Sequence, residues 1–162
     1  MRYFITFACY GTHLHGDASG IVDQHHNTFG SPFAEASPQR RAAKLEQMDQ
    51  APYCLDHDRR AAVISALREV CLHRKWILLA AHARTNHVHV VVEAEVRPEM
   101  MMNTFKSYAS RALNRLRNDE PGRKRWARHG STRWLFKDED VQEAIRYVIS
   151  GQGEPMEVYL AE

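Results

Sequence analysis

The chain has 162 residues, of which 44% are hydrophobic, and a formal net charge of +2. This length and composition suit one globular domain with its own core. No apolar run approaches the roughly 20 residues of a membrane-spanning helix, and residues 3–9 lack the plan of a signal peptide. We therefore expect a cytoplasmic protein with no membrane segment. Three widely spaced cysteines without a Cys-x-x-Cys pair argue against a disulfide framework or a zinc knuckle.

Charge is distributed unevenly along the chain. Between residues 103 and 137 there are ten basic and two acidic residues, which gives a local charge of +8. From residue 138 onward, seven acidic residues and one basic residue give −6. A basic segment in a nearly neutral chain is typical of a protein with a phosphate-rich partner. The alternative is an ordinary solvated face.

The first part of the chain predicts one strand, one insertion and one helix. Alternating residues 2–9, rich in Phe, Ile and Thr, predict a strand. The polar residues 12–56 predict an irregular insertion that contains one short helix capped by Ser37. Residues 57–74 carry apolar side chains at helical spacing and predict a helix with a buried stripe.

The second part predicts a hairpin followed by two more helices. Residues 76–83 and 87–94 predict two strands joined by a tight turn. After Pro98 a long helix is expected to residue 117, with an apolar stripe and a separate basic side. A short strand over residues 132–136 and a final helix over residues 138–151 complete the pattern, and the early acids of that helix suit its dipole.

This order of elements indicates the fold class. It predicts an α+β, ferredoxin-like split sandwich: a mainly antiparallel sheet with helices packed on one face. Repeats and low-complexity runs are absent from the sequence. We therefore expect a single domain over residues 1–162, with the insertion as an excursion from it.

The most informative motif is His87-Val88-His89 in the second hairpin strand. Alternation along a strand places both imidazoles on one face and Val88 on the other. Two imidazoles on a rigid strand can hold a divalent metal, whereas the alternative is a pair of histidines on an exposed face. Enzymes of the histidine-triad type need a third histidine where this chain has Val91, so the pattern argues against that class.

Other side chains compete for a functional role. His13 and His15 have the same spacing, but they lie between Gly11 and Gly16, where strand geometry is not assured. In the final helix, Tyr147 lies roughly 120° from Val141, on the flank of the apolar stripe. A tyrosine in that position can keep its hydroxyl available as a nucleophile toward a phosphate held by a metal and basic groups.

Together these motifs resemble the single-tyrosine HUH transposases, and within them the relatives of the REP-associated tyrosine transposases. HUH stands for His, hydrophobe, His, which residues 87–89 match on the expected strand. Family members carry a catalytic tyrosine on a late helix that follows a short strand containing Trp or Phe. Residues 134–136 and then Tyr147 match that arrangement. The resemblance covers the order and spacing of the strands, helices and motifs from about residue 76 to residue 152, together with the opening strand.

One position departs from the family pattern. Some members carry a glutamine one helical turn beyond the tyrosine as a third metal ligand, but here Gly151 holds that position and the glutamine is Gln152. On an unbroken helix Gln152 would lie about 140° from Tyr147 and could not share its site. Gln152 can therefore be the third ligand only if the helix loosens at Gly151.

The resemblance implies a metal-dependent single-stranded DNA endonuclease and strand transferase. His87 and His89, together with Gln152, would hold Mg²⁺ or Mn²⁺ against the scissile phosphate. Tyr147 would attack the phosphorus, which gives a 5′-phosphotyrosine link and a free 3′-hydroxyl. The implied substrates are hairpin-bearing single strands such as repetitive extragenic palindromes or element ends. The implied assembly is a homodimer.

The basic segment supplies the expected contacts with DNA phosphates. Its members proposed for that role are Lys106, Arg111, Arg115, Arg123, Lys124, Arg125, Arg128 and Arg133. Trp126 and Trp134 are candidates for stacking on unpaired bases, with packing in the core or a loop as the alternative.

Two other functions stay open at this point. A domesticated relative that binds DNA hairpins without cutting them would keep the basic segment and have no need of Tyr147. A small metal-dependent phosphoesterase would use His87 and His89 on a soluble substrate, without a covalent intermediate. Such a phosphoesterase would depend little on Arg111 or Arg125.

Overall fold

The computed structural model describes residues 1–12 and 49–162. The described part contains five strands and three helices. The strands are β1 (Arg2–Cys9), β2 (Ile77–Ala83), β3 (His87–Glu93), β4 (Trp126–Trp134) and β5 (Glu157–Leu160). The helices are α1 (His57–Arg74), α2 (Pro98–Leu116) and α3 (Asp138–Ser150). No described helix has the length and apolarity that crossing a membrane would require.

The five strands form one antiparallel sheet in the order β4-β1-β3-β2-β5. Strand β3 is central, which explains its nearly continuous run of valines: it is buried on both faces. In the register of the sheet, His89 lies opposite Thr6 of β1 and opposite His82 of β2. The histidine motif therefore starts a rigid strand with paired neighbours on both sides.

The sheet has a core on each face. The larger core contains Val88, Val90 and Val92 of β3 and packs against α1 and α2. The smaller core contains Val91 of β3 and packs against α3. The predicted α+β class with an antiparallel sheet is confirmed, but the expectation that all helices pack on one face is wrong. Because alternate valines of β3 point in opposite directions, both faces need a cover, and the amphipathic α3 covers the second one.

Both edge strands differ from the prediction. Strand β4 begins at Trp126 rather than at residue 132, because its polar first half pairs with β1 across an irregularity between Phe7 and Cys9. A side chain at Gly130 would come within 2.5 Å of the Thr6 carbonyl oxygen, so this pairing needs glycine. Strand β5 was not predicted. It has four residues, none of them fully buried, and gives no alternating signal.

The predicted insertion at residues 12–56 lies mostly outside the described residues. His13, His15 and the helix expected after Ser37 all fall in the part that is not described. The described end, residues 49–56, is bound to the sheet. Its Tyr53 N–H donates to the Tyr10 carbonyl at 2.9 Å, and its Leu55 N–H donates to the Thr85 carbonyl at 2.6 Å.

Candidate metal and nucleophile site

Strand β3 places the two motif histidines side by side on the face that α3 covers. His87 and His89 alternate with Val88, which points into the larger core, and their ring centroids lie 4.7 Å apart. His89 is 6% exposed, whereas His87 is half-buried. The pair therefore forms a rigid imidazole surface at the edge of the smaller core.

Gln152 reaches this pair because α3 ends before it. The helix stops at Ser150, and the Gly151 N–H donates to the Tyr147 carbonyl at 3.0 Å. A Cβ at Gly151 would come within 2.9 Å of that carbonyl oxygen, so the close approach requires glycine. Beyond it, the side-chain Oε1 of Gln152 lies 3.3 Å from His87 Nε2 and 3.1 Å from His89 Nε2. The helix therefore ends at the point where it must end for Gln152 to share a site with the two histidines.

On the side away from Gln152, each ring has a partner that can accept a hydrogen bond from Nδ1. His87 Nδ1 lies 2.7 Å from Asn86 Oδ1, an amide oxygen that can accept from Nδ1–H. His89 Nδ1 lies 2.8 Å from the Thr6 hydroxyl, which can accept in the same way. Gln152 Oε1 is also an acceptor, so an Nε2–H of either ring can donate to it; when the protons are on Nδ1, both Nε2 lone pairs face Gln152 Oε1.

With the ring protons on Nδ1, three acceptor atoms converge on one point, and such an arrangement fits a cation. Among the described residues, no cluster of three histidine, cysteine, aspartate or glutamate side chains is suited to a metal. A metal at His87 and His89 would therefore take an amide oxygen as its third protein donor. Outer partners such as Thr6 and Asn86 fix ring orientation and raise ligand basicity in protein metal sites.

Tyr147 lies on the same side of the sheet. Its ring centroid is 5.7 Å from that of His89 and 5.9 Å from that of Phe4, in edge-on contacts. The side chain is 38% exposed. Its position on the flank of α3 agrees with the helical spacing, and one chain brings Tyr147, His89 and Gln152 together.

Arg133 is the member of the basic segment that lies beside this tyrosine. It sits opposite Phe4 in the β1–β4 pairing, and Phe4 contacts the Tyr147 ring. Burial lowers the pKa of the Arg133 guanidinium, while the neighbouring Tyr147 raises it. Arginine nevertheless stays protonated at physiological pH, so Arg133 places a positive charge near the candidate nucleophile.

Four other predicted DNA-binding residues make contacts within the chain. Lys106 Nζ donates to the Ala127 and His129 carbonyls, and burial lowers its pKa. Lys124 pairs with Asp49 at 2.8 Å. Arg123 donates to Gln50 and to the Ala51 carbonyl, and Arg125 donates to Asp119, Asn114 and the Ser110 carbonyl. These cations stabilise the fold around the start of β4.

The basic side chains of α2 lie on the other side of the sheet from the histidine pair. Arg111 stacks over Tyr108, with its guanidinium carbon 4.9 Å from the ring centroid. Together with Arg74 and Arg97 it lines a groove of about 580 Å³. Arg115 is exposed on the same helix. The basic surface and the candidate metal site thus occupy opposite faces of the sheet.

Thr6 and Asn86 are site residues that the sequence patterns did not single out. Thr6 lies 83 positions from His89 and meets it only through the β1–β3 register. Asn86 is adjacent to His87, and its position just before the motif was the available signal. The predicted role of Trp126 as a base-stacking residue is not tested, although its indole N–H donates to Ser110 Oγ at 2.9 Å.

A comparison with solved structures finds a protein with a similar fold. The structure of a REP-associated tyrosine transposase bound to a REP hairpin superposes with a TM-score of 0.50 at 9% sequence identity. The alignment covers 93% of this chain and 65% of that chain. This chain therefore has the fold of a tyrosine transposase, over somewhat less than two thirds of its relative's length.

A comparison of the sequence with protein-family profiles identifies the family. The profile of the family described as "Transposase IS200 like" matches residues 51–134, just over half of the 162-residue chain. The chain belongs to this family of transposases, and the resemblance expected from the histidine motif is confirmed. The matched residues include His87 and His89 and end before α3. A comparison with curated proteins gives no match.

Proposed function

We propose that this protein is a metal-dependent single-stranded DNA endonuclease and strand transferase. One observation carries the proposal: Gln152 Oε1 lies within 3.3 Å of both motif imidazoles in the same chain that places the Tyr147 ring 5.7 Å from His89. A candidate three-donor cation site and a candidate nucleophile therefore lie together.

His87, His89 and Gln152 would hold Mg²⁺ or Mn²⁺. When bound, the ion polarises the scissile phosphate and stabilises charge on its oxygens. Hard divalent ions of this kind commonly keep several water molecules and bind phosphate oxygens beside a few protein ligands. Three protein donors leave room for those additional oxygens.

Tyr147 would supply the nucleophile. Its phenol oxygen attacks the phosphorus and loses a proton, while the 3′-oxygen of the neighbouring nucleotide leaves and takes up a proton. The products are a 5′-phosphotyrosine link and a free 3′-hydroxyl. Because one phosphodiester replaces another, a second 3′-hydroxyl can reverse the step and join strands without ATP. Arg133 would favour the charge that develops on the phenol oxygen.

Hairpin-bearing single-stranded DNA is the proposed substrate, and a homodimer is the proposed assembly. The substrate proposal draws on membership of the IS200-like family and on the fold shared with a REP-associated transposase solved with a REP hairpin. Arg111 and Arg115 would contact DNA phosphates from the far side of the sheet. Light scattering of the purified protein, with and without the DNA, tests the proposed dimer.

A covalent-adduct assay tests the chemistry. The substrate is a pool of single-stranded oligonucleotides that share a hairpin and carry randomised flanks, labelled at the 3′ end. The 3′ label matters because a 5′-phosphotyrosine link retains the fragment on the 3′ side of the cut. We expect labelled protein that survives denaturation with Mn²⁺, none with EDTA, and none with Tyr147→Phe.

The same assay separates the alternative functions. Hairpin binding without any adduct would indicate a binding protein that does not cut. Cleavage without an adduct would indicate a phosphoesterase. An adduct that persists in Tyr147→Phe would exclude Tyr147 as the nucleophile and overturn the proposed mechanism.

A further inference from the structure

His82 is a fully buried histidine that the proposed chemistry does not use. It lies in β2, opposite His89 in the sheet, and it is 0% exposed. Its Nδ1 lies 2.8 Å from the Val148 carbonyl oxygen, and its Nε2 lies 3.0 Å from the Met156 backbone nitrogen. Because a carbonyl only accepts and an amide N–H only donates, Nδ1 carries the proton and Nε2 accepts. Both ring nitrogens are therefore engaged, which leaves His82 unable to bind a metal.

The two partners of His82 lie on either side of Gln152 in the chain. Val148 belongs to the last turn of α3, one residue after Tyr147. Met156 directly precedes β5, which pairs with β2. A further bond from the β2–β3 turn, Arg84 Nη1 to the Glu154 carbonyl at 2.9 Å, holds the middle of the same segment. A single imidazole thus joins the two ends of the turn that carries Gln152.

The bond to Val148 has a specific physical role. In a continued helix, the Val148 carbonyl would accept from the N–H of Gln152, four residues later. Since α3 ends at Ser150, that donor has left the helix, and a buried carbonyl without a partner is costly. The Nδ1–H of His82 takes its place. His82 therefore makes it possible for Gln152 to leave the helix and turn toward the histidine pair.

We propose that His82 is a positioning residue for Gln152. By bonding Val148 and Met156 at once, it holds the turn so that Gln152 Oε1 stays between His87 Nε2 and His89 Nε2. The metal-related part of this inference rests on the proposed function. The geometric part concerns the protein without metal and is measurable separately.

Two substitutions each retain one of the two hydrogen bonds of His82 and remove the other. In His82→Asn the side-chain amide reaches the position of Nδ1, so its N–H can still donate to the Val148 carbonyl. In His82→Gln the longer side chain reaches the position of Nε2, so its oxygen can still accept from the Met156 N–H. Val70→Ala is the control, because Val70 is fully buried in the larger core on the opposite face. It lowers stability without touching the turn.

The metal-free readout is nuclear magnetic resonance of labelled protein. In the wild type we expect a slowly exchanging Met156 amide and a cross-peak between the Gln152 side-chain amide and the His89 ring. Both signals persist in Val70→Ala. His82→Asn exposes the Met156 amide, His82→Gln leaves the Val148 carbonyl without its donor, and we expect each variant to weaken the cross-peak. Persistence of that cross-peak in both His82 variants would overturn the inference.

Calorimetry with Mn²⁺ provides the second readout. We expect the Kd of His82→Gln, which lacks the donor to the Val148 carbonyl, to rise about tenfold, in line with the effect of removing outer partners of a metal site. Val70→Ala should stay within about twofold of wild type, since distant sites act independently. Wild-type affinity in both His82 variants would overturn the metal-related part. If the wild type itself binds no Mn²⁺, the proposed metal site fails, and the cross-peak alone decides the positioning role.

Discussion

The two motif histidines are held in place by different kinds of neighbour. His87 is oriented by Asn86, the residue before it, whereas His89 is oriented by Thr6 from the adjacent strand. Each bond engages Nδ1 and turns Nε2 toward Gln152. The orientation of both rings is therefore fixed before any ligand arrives, which lowers the entropic cost of binding.

Substitution of Gln152 tests the third donor at the residue scale. In Gln152→Ala the oxygen is lost, and we expect the Kd for Mn²⁺ to rise about tenfold or more. In Gln152→Glu a carboxylate takes the place of the amide, and attraction to the cation should lower the Kd. Calorimetry on metal-free protein measures both changes.

If Gln152 is a ligand, the Kd for Mn²⁺ should rise in Gln152→Ala and fall in Gln152→Glu. A Gln152 that only hydrogen-bonds to His87 and His89 would leave the Kd of Gln152→Ala for Mn²⁺ close to the wild-type value. Equal affinities for Mn²⁺ in wild type, Gln152→Ala and Gln152→Glu would exclude Gln152 as a ligand. Gln142 on the exposed side of α3 provides the matched control substitution, Gln142→Glu.

Sequence patterns could predict that His87 and His89 share one face and that Tyr147 lies on the flank of α3, because strand alternation and helical spacing determine the direction of each side chain. Sequence patterns could not decide whether Gln152 lies near the two histidines, because that depends on where α3 ends. That end is set by Gly151 and by the bond between His82 and Val148, which joins residues 66 positions apart. A contact over such a separation follows from sheet register and is not visible in local periodicity.

At the scale of elements, a buried carboxylate joins the end of α2 to three other parts of the fold. Asp119 accepts from Tyr53 at 2.7 Å, from Arg59 of α1 at 2.8 Å and from Arg125 at 3.1 Å. Its side chain is 7% exposed. Burial alone would raise the pKa of Asp119, but the hydrogen bonds from Tyr53, Arg59 and Arg125 lower it below its ordinary value of 3.8.

Asp119→Asn should destabilise the fold. The substitution removes the charge that compensates two arginines, and we expect the free energy of unfolding to fall by about 3 kcal/mol. Urea denaturation at neutral pH measures the loss. Asp138→Asn is the control, because its carboxylate is 87% exposed and its pair with Arg2 should contribute little.

The stability difference between wild type and Asp119→Asn should depend on pH. Because folding lowers the pKa of Asp119, its contribution is present above the ordinary value of 3.8 and is lost as pH falls through the folded-state pKa. A urea series from about pH 7 to about pH 2 should show the two proteins converging in acid. A difference that stays constant over the series would contradict this account.

The long elements were predictable, whereas of the two edge strands β4 was predicted only in part and β5 was not predicted. Helix α1 buries Val63, Leu67 and Val70 at helical spacing, and β3 is buried along most of its length, so both were visible in the sequence. Strands β4 and β5 lie at the two edges of the sheet and are half-exposed, so backbone pairing rather than side-chain burial defines them. The position of α3 on the second face depends on β3 being central, and local spacing does not determine strand order.

At the scale of the whole molecule, the candidate metal site and the basic face of α2 lie on opposite sides of the sheet. DNA bound to both must pass around an edge of the sheet. Arg133 of the edge strand β4 lies beside Tyr147, which makes the β4 edge our candidate route. Steep dependence on salt is expected for an interaction of this kind.

Arginine substitutions separate DNA contacts from structural contacts. Arg115→Gln removes an exposed charge, so we expect weaker hairpin binding and a salt slope reduced by about one, with unchanged stability. Arg125→Gln should instead lower the free energy of unfolding by about 2 kcal/mol, since it leaves Asp119 partly uncompensated. Arg68→Gln on α1, whose guanidinium carbon lies 5.0 Å from the Tyr159 ring centroid, is the control for the salt slope. An unchanged salt slope for Arg115→Gln would place the DNA elsewhere.

The most direct measurement of the central claim is the location of the covalent link. Wild-type protein is incubated with Mn²⁺ and a hairpin oligonucleotide, the DNA is digested to a short remnant, and the protein is cleaved with trypsin. Cleavage after Arg146 gives a peptide that begins at Tyr147 and also contains Tyr159. Fragmentation in the mass spectrometer distinguishes the two. Our account predicts a nucleotide phosphate on Tyr147, and a remnant on Tyr159, on another peptide or on none would contradict it.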